Sequence, residues 1–386
     1  MLFRDIVGHT KLKNMLINTV LNNRVSHAQL FMGAEGSEKL ALAIAYAQYI
    51  ACNNKQSFDT QNELIGDSCG QCPSCIKYKK LAHPDLHFIY PVASTKEVKQ
   101  HPQSHHFINQ WREALIDSNY YLNELEWYKH IGIENKQGRI AVADSNQIIK
   151  TLSIRSFEGN YKVMIIWMIE KLNHTAAPVL LKILEEPAEK TLFLLISEDT
   201  SSVLKTITSR TQLVKVRPLE DKCIADFLKQ NFNLESNKID SLVNLADGNF
   251  KKLLPVLTNN AEENPHFATF RQMMLLAYSR DFAKMRSTAD NISKVGRENI
   301  KQLLLFGLKT VRLCMYQSLG NTELVRASGL ELDFIQKFSR FVNYTNADDI
   351  SKVLNETIFH IERNVNQKIT IMDTLLKISG LLHQKK

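Results

Sequence analysis

The chain contains 386 residues, which is more than one hydrophobic core usually organises, so we expect two or three domains. Hydrophobic residues make up 44% of the chain and charged residues 23%, as is ordinary for a soluble globular protein. The net charge of +8 is compatible with a nucleic-acid partner but does not establish one. Neither a long apolar run nor a signal-peptide pattern occurs, so we expect a cytoplasmic protein without a membrane span.

The first fifty residues have the pattern of the opening unit of a nucleotide-binding α/β domain. Apolar residues at helical spacing predict an amphipathic helix over residues 10–23, and the apolar run 28–32 predicts a strand. A loop containing Gly33 and Gly36 follows, and residues 40–51 predict a second helix. The order strand, glycine loop, helix is typical of proteins that bind nucleotides.

Further predicted strands alternate with helices up to about residue 217. These strands are residues 87–92, 161–168, 191–196 and 213–216. The alternation predicts a parallel sheet with helices on both faces. We therefore expect an α/β domain over residues 1–217, a small helical domain over 218–262 and an all-helical domain over 263–386. An insertion at about 94–139, rich in polar and aromatic residues and helical around 107–131, has no function that the sequence indicates.

The glycine loop departs from a working phosphate-binding loop, which has the pattern G-x-x-x-x-G-K-[ST]. When the pattern is aligned on Lys39, its first glycine is Gly33, but Glu38 replaces the second glycine and Leu40 replaces the hydroxyl residue. Glutamate places negative charge where phosphates would lie, and leucine cannot bind Mg²⁺. Gly33, Gly36 and Lys39 therefore predict the geometry of such a loop without its chemistry. The alternative is that the glycines only form a turn.

A second motif required for hydrolysis is also missing. Nucleotide hydrolysis in such folds needs acidic residues at the end of the strand at 163–166, where they hold Mg²⁺ and position water. Trp167 and Met168 stand there, and the first carboxylate, Glu170, lies beyond them. Two independent losses indicate that this chain neither binds ATP well nor hydrolyses it.

Four cysteines have the spacing of a metal site. Cys69, Cys72 and Cys75 form two overlapping Cys-x-x-Cys pairs, and Cys52 precedes them by a sixteen-residue spacer. Four thiolates at this spacing favour tetrahedral Zn²⁺ in a closed structural site within residues 52–75. Iron–sulfur ligation is the alternative, and His83 could replace Cys52, which would have to come from a helix end. The remaining cysteines, expected to be buried thiols, are Cys223 and Cys314.

Six stretches resemble the clamp-loader subunits of the AAA+ family, in particular the delta-prime type of bacterial DNA polymerase III. These stretches are residues 3–8, 24–28, 52–75, 83–85, 180–187 and 209–210. The family signature Ser-Arg-Cys appears here as Ser209-Arg210-Thr211, so the cysteine is lost but the charged residue remains. The insertion at 94–139 is not part of the family core. The C-terminal third agrees with the family only in its helical pattern.

The resemblance implies a non-hydrolysing stator subunit of a clamp loader. Its expected partners are the gamma/tau and delta subunits and, indirectly, the sliding clamp and primer–template DNA. Arg210, with Ser209 beside it, is expected to act in trans as an arginine finger at a neighbouring ATP site. Residues 218–262 would form a lid and 263–386 a collar. Two alternatives are an active gamma/tau-type ATPase and an autonomous zinc-dependent DNA-binding regulator.

Overall fold

The structure is a computed structural model that describes residues 1–60, 63–153, 157–158, 161–232, 234–257, 265–327 and 329–383. The chain divides into two compact units. The first comprises Met1–Ile133, Gln137–Glu235 and Gly248–Lys251, and the second comprises Glu134–Lys136, Ser236–Asp247 and Lys252–Lys386. The division into domains at 217 and 262 stays a prediction, and its second boundary lies outside the described residues. Within the described part of the chain, every helix is too short or too polar to cross a bilayer.

The first unit is built on a parallel sheet, which confirms the expected α/β fold. The strands are β1 (Ala28–Met32), β2 (Gln56–Thr60), β3 (Glu63–Asp67), β4 (Leu86–Ile89), β5 (Lys162–Trp167), β6 (Thr191–Ser197) and β7 (Gln212–Lys215). Five of them form the sheet in the order β4-β5-β6-β1-β7, and all neighbouring pairs are parallel. The central strands β5 and β6 are buried along their whole length, because helices cover both faces.

The first unit also contains helices, and all but the last of those described contribute side chains to the cores on the two faces of this sheet. They are α1 (Thr10–Leu21), α2 (Lys39–Ala51), α3 (Pro73–Lys79), α4 (Ile108–Asp117), α5 (Glu124–His130), α6 (Val142–Ser153), α7 (Ala177–Glu185), α8 (Lys205–Thr208) and α9 (Asp221–Asn231). Side chains of a strand alternate between faces. Ile165 of β5 therefore lies in the core that contains α2, and its neighbours Met164 and Ile166 lie in the core that contains α6 and α7.

Three local features differ from the expectations. The strand expected at 87–92 ends at Ile89, and the helical stretch expected at 107–131 is two helices, α4 and α5, with a break between them. The antiparallel hairpin β2–β3 lies inside the cysteine-rich segment 52–75 and was not predicted. Its sequence is mostly polar and lacks the apolar alternation that marks a strand.

The second unit is helical throughout its described residues, as expected for the C-terminal part of the chain. Its helices are α10 (Ser236–Ala246), α11 (Leu254–Leu257), α12 (Pro265–Ser279), α13 (Phe282–Ile292), α14 (Arg297–Ser318), α15 (Gly329–Phe338), α16 (Ala347–Glu362) and α17 (Gln367–Leu382). Helices α12 to α17 share one apolar core that includes Leu304, Ile350 and Ile371. A buried hydrogen bond of 2.7 Å joins the hydroxyls of Thr357 and Thr374, which links α16 to α17.

The His-Pro-Asp stretch at 83–85 has a structural role at the start of β4. The carboxylate of Asp85 accepts hydrogen bonds from the backbone N–H groups of Phe157 and Glu158, at 2.7 and 2.9 Å. The N–H of Asp85 itself donates to His83 Nδ1 at 3.1 Å. Asp85 is almost fully buried. It therefore ties the residues that precede β5 to the strand beside them.

We expect Asp85→Ala to destabilise the first unit. The substitution removes the acceptor for two partly buried N–H groups, and leaving such donors unpaired costs about 1–3 kcal/mol. The midpoint of urea unfolding, followed by circular dichroism, should fall, whereas the exposed Asp117→Ala at the end of α4 should leave it unchanged. Equal midpoints for both variants would contradict this role of Asp85.

Candidate functional sites: a glycine loop, a cysteine cluster and a surface arginine

The glycine loop joins β1 to α2 and needs glycine at two positions. A Cβ atom at Gly33 would lie 2.2 Å from the carbonyl oxygen of Val216. Gly36 has a φ of +73°, and a Cβ there would lie 1.9 Å from Oδ1 of Asn249. Both contacts are too short for any side chain, so close packing and a left-handed backbone explain these glycines.

Glu38 occupies the position where a working loop has its second glycine. Its φ of +58° is left-handed, and its side chain is fully buried. One carboxylate oxygen lies 2.8 Å from Nε2 of His9, and the other is buried without a hydrogen-bond partner among the described residues. Burial raises the pKa of Glu38, and the hydrogen bond from His9 opposes that shift. A carboxyl group is thus fixed where a phosphate would need N–H donors.

The lysine and the residue after it both make contacts within the chain. Lys39 Nζ donates to the carbonyl oxygen of Ala34 at 2.7 Å and lies 3.5 Å from Glu198 Oε1. Its side chain is only 6% exposed. Leu40, in the first turn of α2, is buried in the apolar core. The loop therefore directs its charged side chain to its own backbone, and it has no hydroxyl at the Mg²⁺ position.

The end of β5 has no carboxylate at its first two positions, as the sequence indicated. Trp167 and Met168 are both buried there. Glu170 follows, and its carboxylate accepts the backbone N–H of Glu198 at 3.3 Å. Burial raises the pKa of Glu170 and of Glu198. These carboxyl groups lie beside the glycine loop, and neither stands at the first two positions after β5.

The four predicted cysteines form a cluster that could hold zinc. Their sulfur atoms all lie within 4.8 Å of one another. The Sγ–Sγ distances are 3.7 Å between Cys52 and Cys69 and 3.9 Å between Cys69 and Cys75. Zn–S bonds of about 2.3 Å in a tetrahedron separate the sulfurs by about 3.8 Å. The cluster therefore matches a zinc site with four cysteine ligands.

Local structure brings these thiols together. Cys52 directly follows α2, so it comes from a helix end as expected, and Cys72 is the N-cap of α3. Backbone N–H groups point at the sulfurs, as in the 3.3 Å contact from Cys72 N to Cys69 Sγ. Burial raises the pKa of the Cys52 and Cys75 thiols, so they become thiolates when a cation offsets the burial.

The other candidate ligand and thiols lie outside the cluster. Among the described residues, the group close enough to share a metal ion comprises the four cysteines and does not include His83. His83 packs instead against the ring of Tyr78, with centroids 4.8 Å apart. Cys314 is buried as expected, whereas Cys223 is half-buried.

Arg210 lies between α8 and β7, directly after Ser209. Its Nε donates to Oε1 of Glu185 at 2.6 Å, and its Nη1 donates to the carbonyl oxygen of Thr206 at 3.0 Å. The side chain is 36% exposed, so it lies at the surface but contacts its own subunit. Its role as an arginine finger stays a prediction. Glu185 belongs to the stretch 180–187, and the sequence did not indicate this pairing.

Comparisons with known proteins assign the family. A parallel sheet with a glycine loop between β1 and α2 is typical of nucleotide-binding α/β proteins. The family model described as "DNA polymerase III, delta subunit" matches residues 8–220, more than half of the chain. The chain belongs to this family.

Individual relatives are clamp-loader subunits of two kinds. The DNA polymerase III subunit delta' of Bacillus subtilis is 27% identical over 274 residues, which cover 69% of this chain and 63% of the relative. The gamma subunit of Buchnera aphidicola is 26% identical over 238 residues, which cover 62% of this chain and 51% of the relative. The chain thus matches only part of each relative, and similarity alone does not separate the two roles.

Among solved structures, a gamma subunit-related protein of DNA polymerase III from Thermotoga maritima covers 96% of this chain and is itself covered completely. It is 15% identical, with a TM-score of 0.42. A likeness this weak adds nothing to the family assignment.

We expect Cys72→Ala to release the metal that the cluster holds. Zinc analysis of freshly purified, reduced protein should give about one zinc per chain for the unmodified protein and much less for the variant. The melting temperature should fall as well, because metal binding adds to folding free energy. Cys223→Ala, which lies outside the cluster, should change neither quantity. Iron, or no metal in the unmodified protein, would contradict the assignment.

Proposed function

We propose that this chain is a non-hydrolysing stator subunit, of the delta-prime type, in a DNA polymerase III clamp loader. The observation on which this depends is the buried Glu38, which pairs with His9 at the place where a phosphate-binding loop needs glycine. Family membership supports the clamp-loader part of the proposal. The degenerate loop supports the stator part, because a motor subunit must bind and hydrolyse ATP.

Arg210 is the residue through which the chain would act on its neighbour. A guanidinium can stabilise the charge that develops on a transferring phosphoryl group, and its planar fork suits phosphate oxygens. Its partner in the free chain is Glu185, in an ion pair whose two side chains are 36% and 49% exposed. Exposed pairs of this kind contribute about 0–1 kcal/mol. The phosphate of an ATP held by a neighbouring gamma/tau subunit could therefore displace Glu185.

The remaining parts of the chain would have supporting roles. The four-cysteine cluster would hold structural zinc and fix the hairpin β2–β3 beside α3. Residues 218–262 would form the lid and residues 263–386 the collar that joins the delta and gamma/tau subunits in a ring. Through that ring the chain would help to load the sliding clamp onto primer–template DNA in the cytoplasm.

A gamma/tau-type ATPase is the second candidate, because gamma subunits are among the similar proteins. The two proposals differ in ATP turnover. We expect the isolated chain to release phosphate from ATP only at background rate, since Glu38 opposes phosphate and Leu40 offers no Mg²⁺ ligand. A steady turnover that Lys39→Ala abolishes would support the ATPase instead.

For Arg210, we expect the alanine substitution to disable one ATP site of a reconstituted loader. Loss of an arginine finger supplied in trans lowers the rate at that site by about 10³–10⁵. Total ATP turnover should therefore fall by a fraction, and clamp loading onto primed DNA should fall further. Arg210→Lys should restore little activity, because a point charge cannot replace the forked guanidinium.

The exposed Arg139→Ala, which lies outside the proposed collar, is the control for this experiment, with all variants compared at equal assembly. If Arg210→Ala loads clamps as fast as the unmodified protein, Arg210 is only a surface arginine.

A further inference from the structure

The insertion at 94–139 is anchored beside the glycine loop by the three tryptophans of the chain. Trp111 of α4 and Trp127 of α5 are completely buried and pack edge to face at 5.1 Å. Trp111 also packs against Trp167, with ring centroids 5.2 Å apart. Tyr90, which follows β4, stacks on Trp111 at 4.1 Å. The insertion therefore docks on the strand end where a hydrolysing enzyme would have its acidic residues.

From this anchor the segment between α4 and α5 runs over the glycine loop. Asn119 and Tyr120 have φ angles of +48° and +69°, which turn the chain sharply at the end of α4. Such a backbone is costly for a bulky residue and persists where the surroundings enforce it. The turn delivers Tyr120, Tyr121 and Leu122 to the loop residues Gly36 and Lys39.

These three side chains leave almost no space above the loop. The cavity that remains between them and the loop measures about 30 Å³. That volume holds about one water molecule, whereas pockets for nucleotide-sized ligands measure about 300–1,000 Å³. A triphosphate is too large for this cavity.

Direct contacts hold the segment against the loop. Asn123 Nδ2 donates to Oε1 of Glu35, a loop residue, at 2.9 Å. The ring of Tyr121 packs against Phe250, with centroids 5.7 Å apart. Burial, together with the nearby carboxyl group of Glu38, raises the pKa of the Tyr121 hydroxyl, so this side chain stays neutral. Beside a loop with several glutamates, a neutral tyrosine is electrostatically more favourable than a charged polyphosphate.

Two ion pairs fix the helix that follows. Glu124 lies 2.5 Å from Lys171, which comes shortly after β5. Glu126 lies 2.5 Å from Lys251, in the stretch that also supplies Phe250. The segment is thus attached at both of its ends, by the tryptophans of α4 and α5 and by charges on α5.

We propose that the insertion is an intramolecular plug, in which Tyr120, Tyr121 and Leu122 fill the space above the glycine loop and exclude nucleotides whatever the loop sequence is. This inference rests on the proposed function, in which the chain binds no nucleotide. Different experiments would contradict the proposed function and the plug. ATP turnover by the unmodified chain would contradict the proposed function. The experiments below can contradict the plug alone.

The position of the plug can be tested on the unmodified full-length chain. A zero-length carbodiimide reagent joins a lysine to a carboxylate only when the two are in contact. Peptide mass spectrometry should therefore find the cross-links Lys171–Glu124 and Lys251–Glu126. If neither of these links forms while the equally close pair Lys301–Glu362 of the second unit is linked, the insertion does not lie over the loop.

The exclusion of nucleotides can be tested by repairing the loop. Glu38→Gly with Leu40→Thr restores the pattern G-x-x-x-x-G-K-[ST], and binding of the fluorescent nucleotide mant-ATP with Mg²⁺ is then measured by polarisation. With the insertion intact we expect no binding. When Tyr120, Tyr121 and Leu122 are also changed to Ala, affinity should rise at least about tenfold.

The matched control combines the repaired loop with Ile116→Ala, an exposed position of the same insertion, and should not bind. Circular dichroism and zinc content establish that each variant is folded. Binding by the repaired loop with an intact insertion would overturn the proposal. Equal affinities of the repaired loop with and without the three alanine substitutions, including no binding by either variant, would also overturn the proposal. Exclusion of the nucleotide would then not depend on the insertion.

Discussion

A buried carboxyl group at Glu38 is the constraint on which the rest of the site depends. Its backbone keeps the left-handed conformation that a glycine would provide, so the loop retains its path from β1 into α2. Its side chain, however, points into the protein and pairs with His9, and neither of the two side chains is more than 7% exposed. Leaving one member of such a buried pair without its partner costs several kcal/mol. The N-terminal segment and the loop are therefore stabilised together.

Trp167 has the corresponding role at the end of β5. Where an acidic side chain would face solvent and a metal ion, an indole ring contributes to an aromatic core instead. Aromatic pairs of this kind add about 0.5–1.5 kcal/mol each beyond the area they bury. Trp167 thus takes the position of an acidic residue and also contacts the insertion through Trp111.

The sequence predicted the parallel sheet and the cluster of four cysteines, because each depends on a local pattern or a fixed spacing. It did not predict the contacts between distant segments. The pairing of Arg210 with Glu185 joins residues that are twenty-five positions apart, and Asn123 meets Glu35 across eighty-eight. The hairpin β2–β3 was missed because its strands are polar. The run Tyr120-Tyr121-Leu122, two aromatic residues and a leucine, is present in the sequence, but nothing in its spacing indicates which surface it covers.

In the proposed function, this chain binds no nucleotide at its own loop, yet Arg210 acts on ATP. The two properties are compatible because the ATP that Arg210 contacts is bound by a neighbouring subunit. An arginine finger must reach its target to within about 0.5 Å, which favours a rigid support. A loop that binds and releases ATP would move that support in every cycle. Here Leu122 of the plug, the tryptophans and one face of the sheet belong to one close-packed core, and such cores resist gradual deformation. Arg210 would therefore meet each new ATP of its neighbour from the same position.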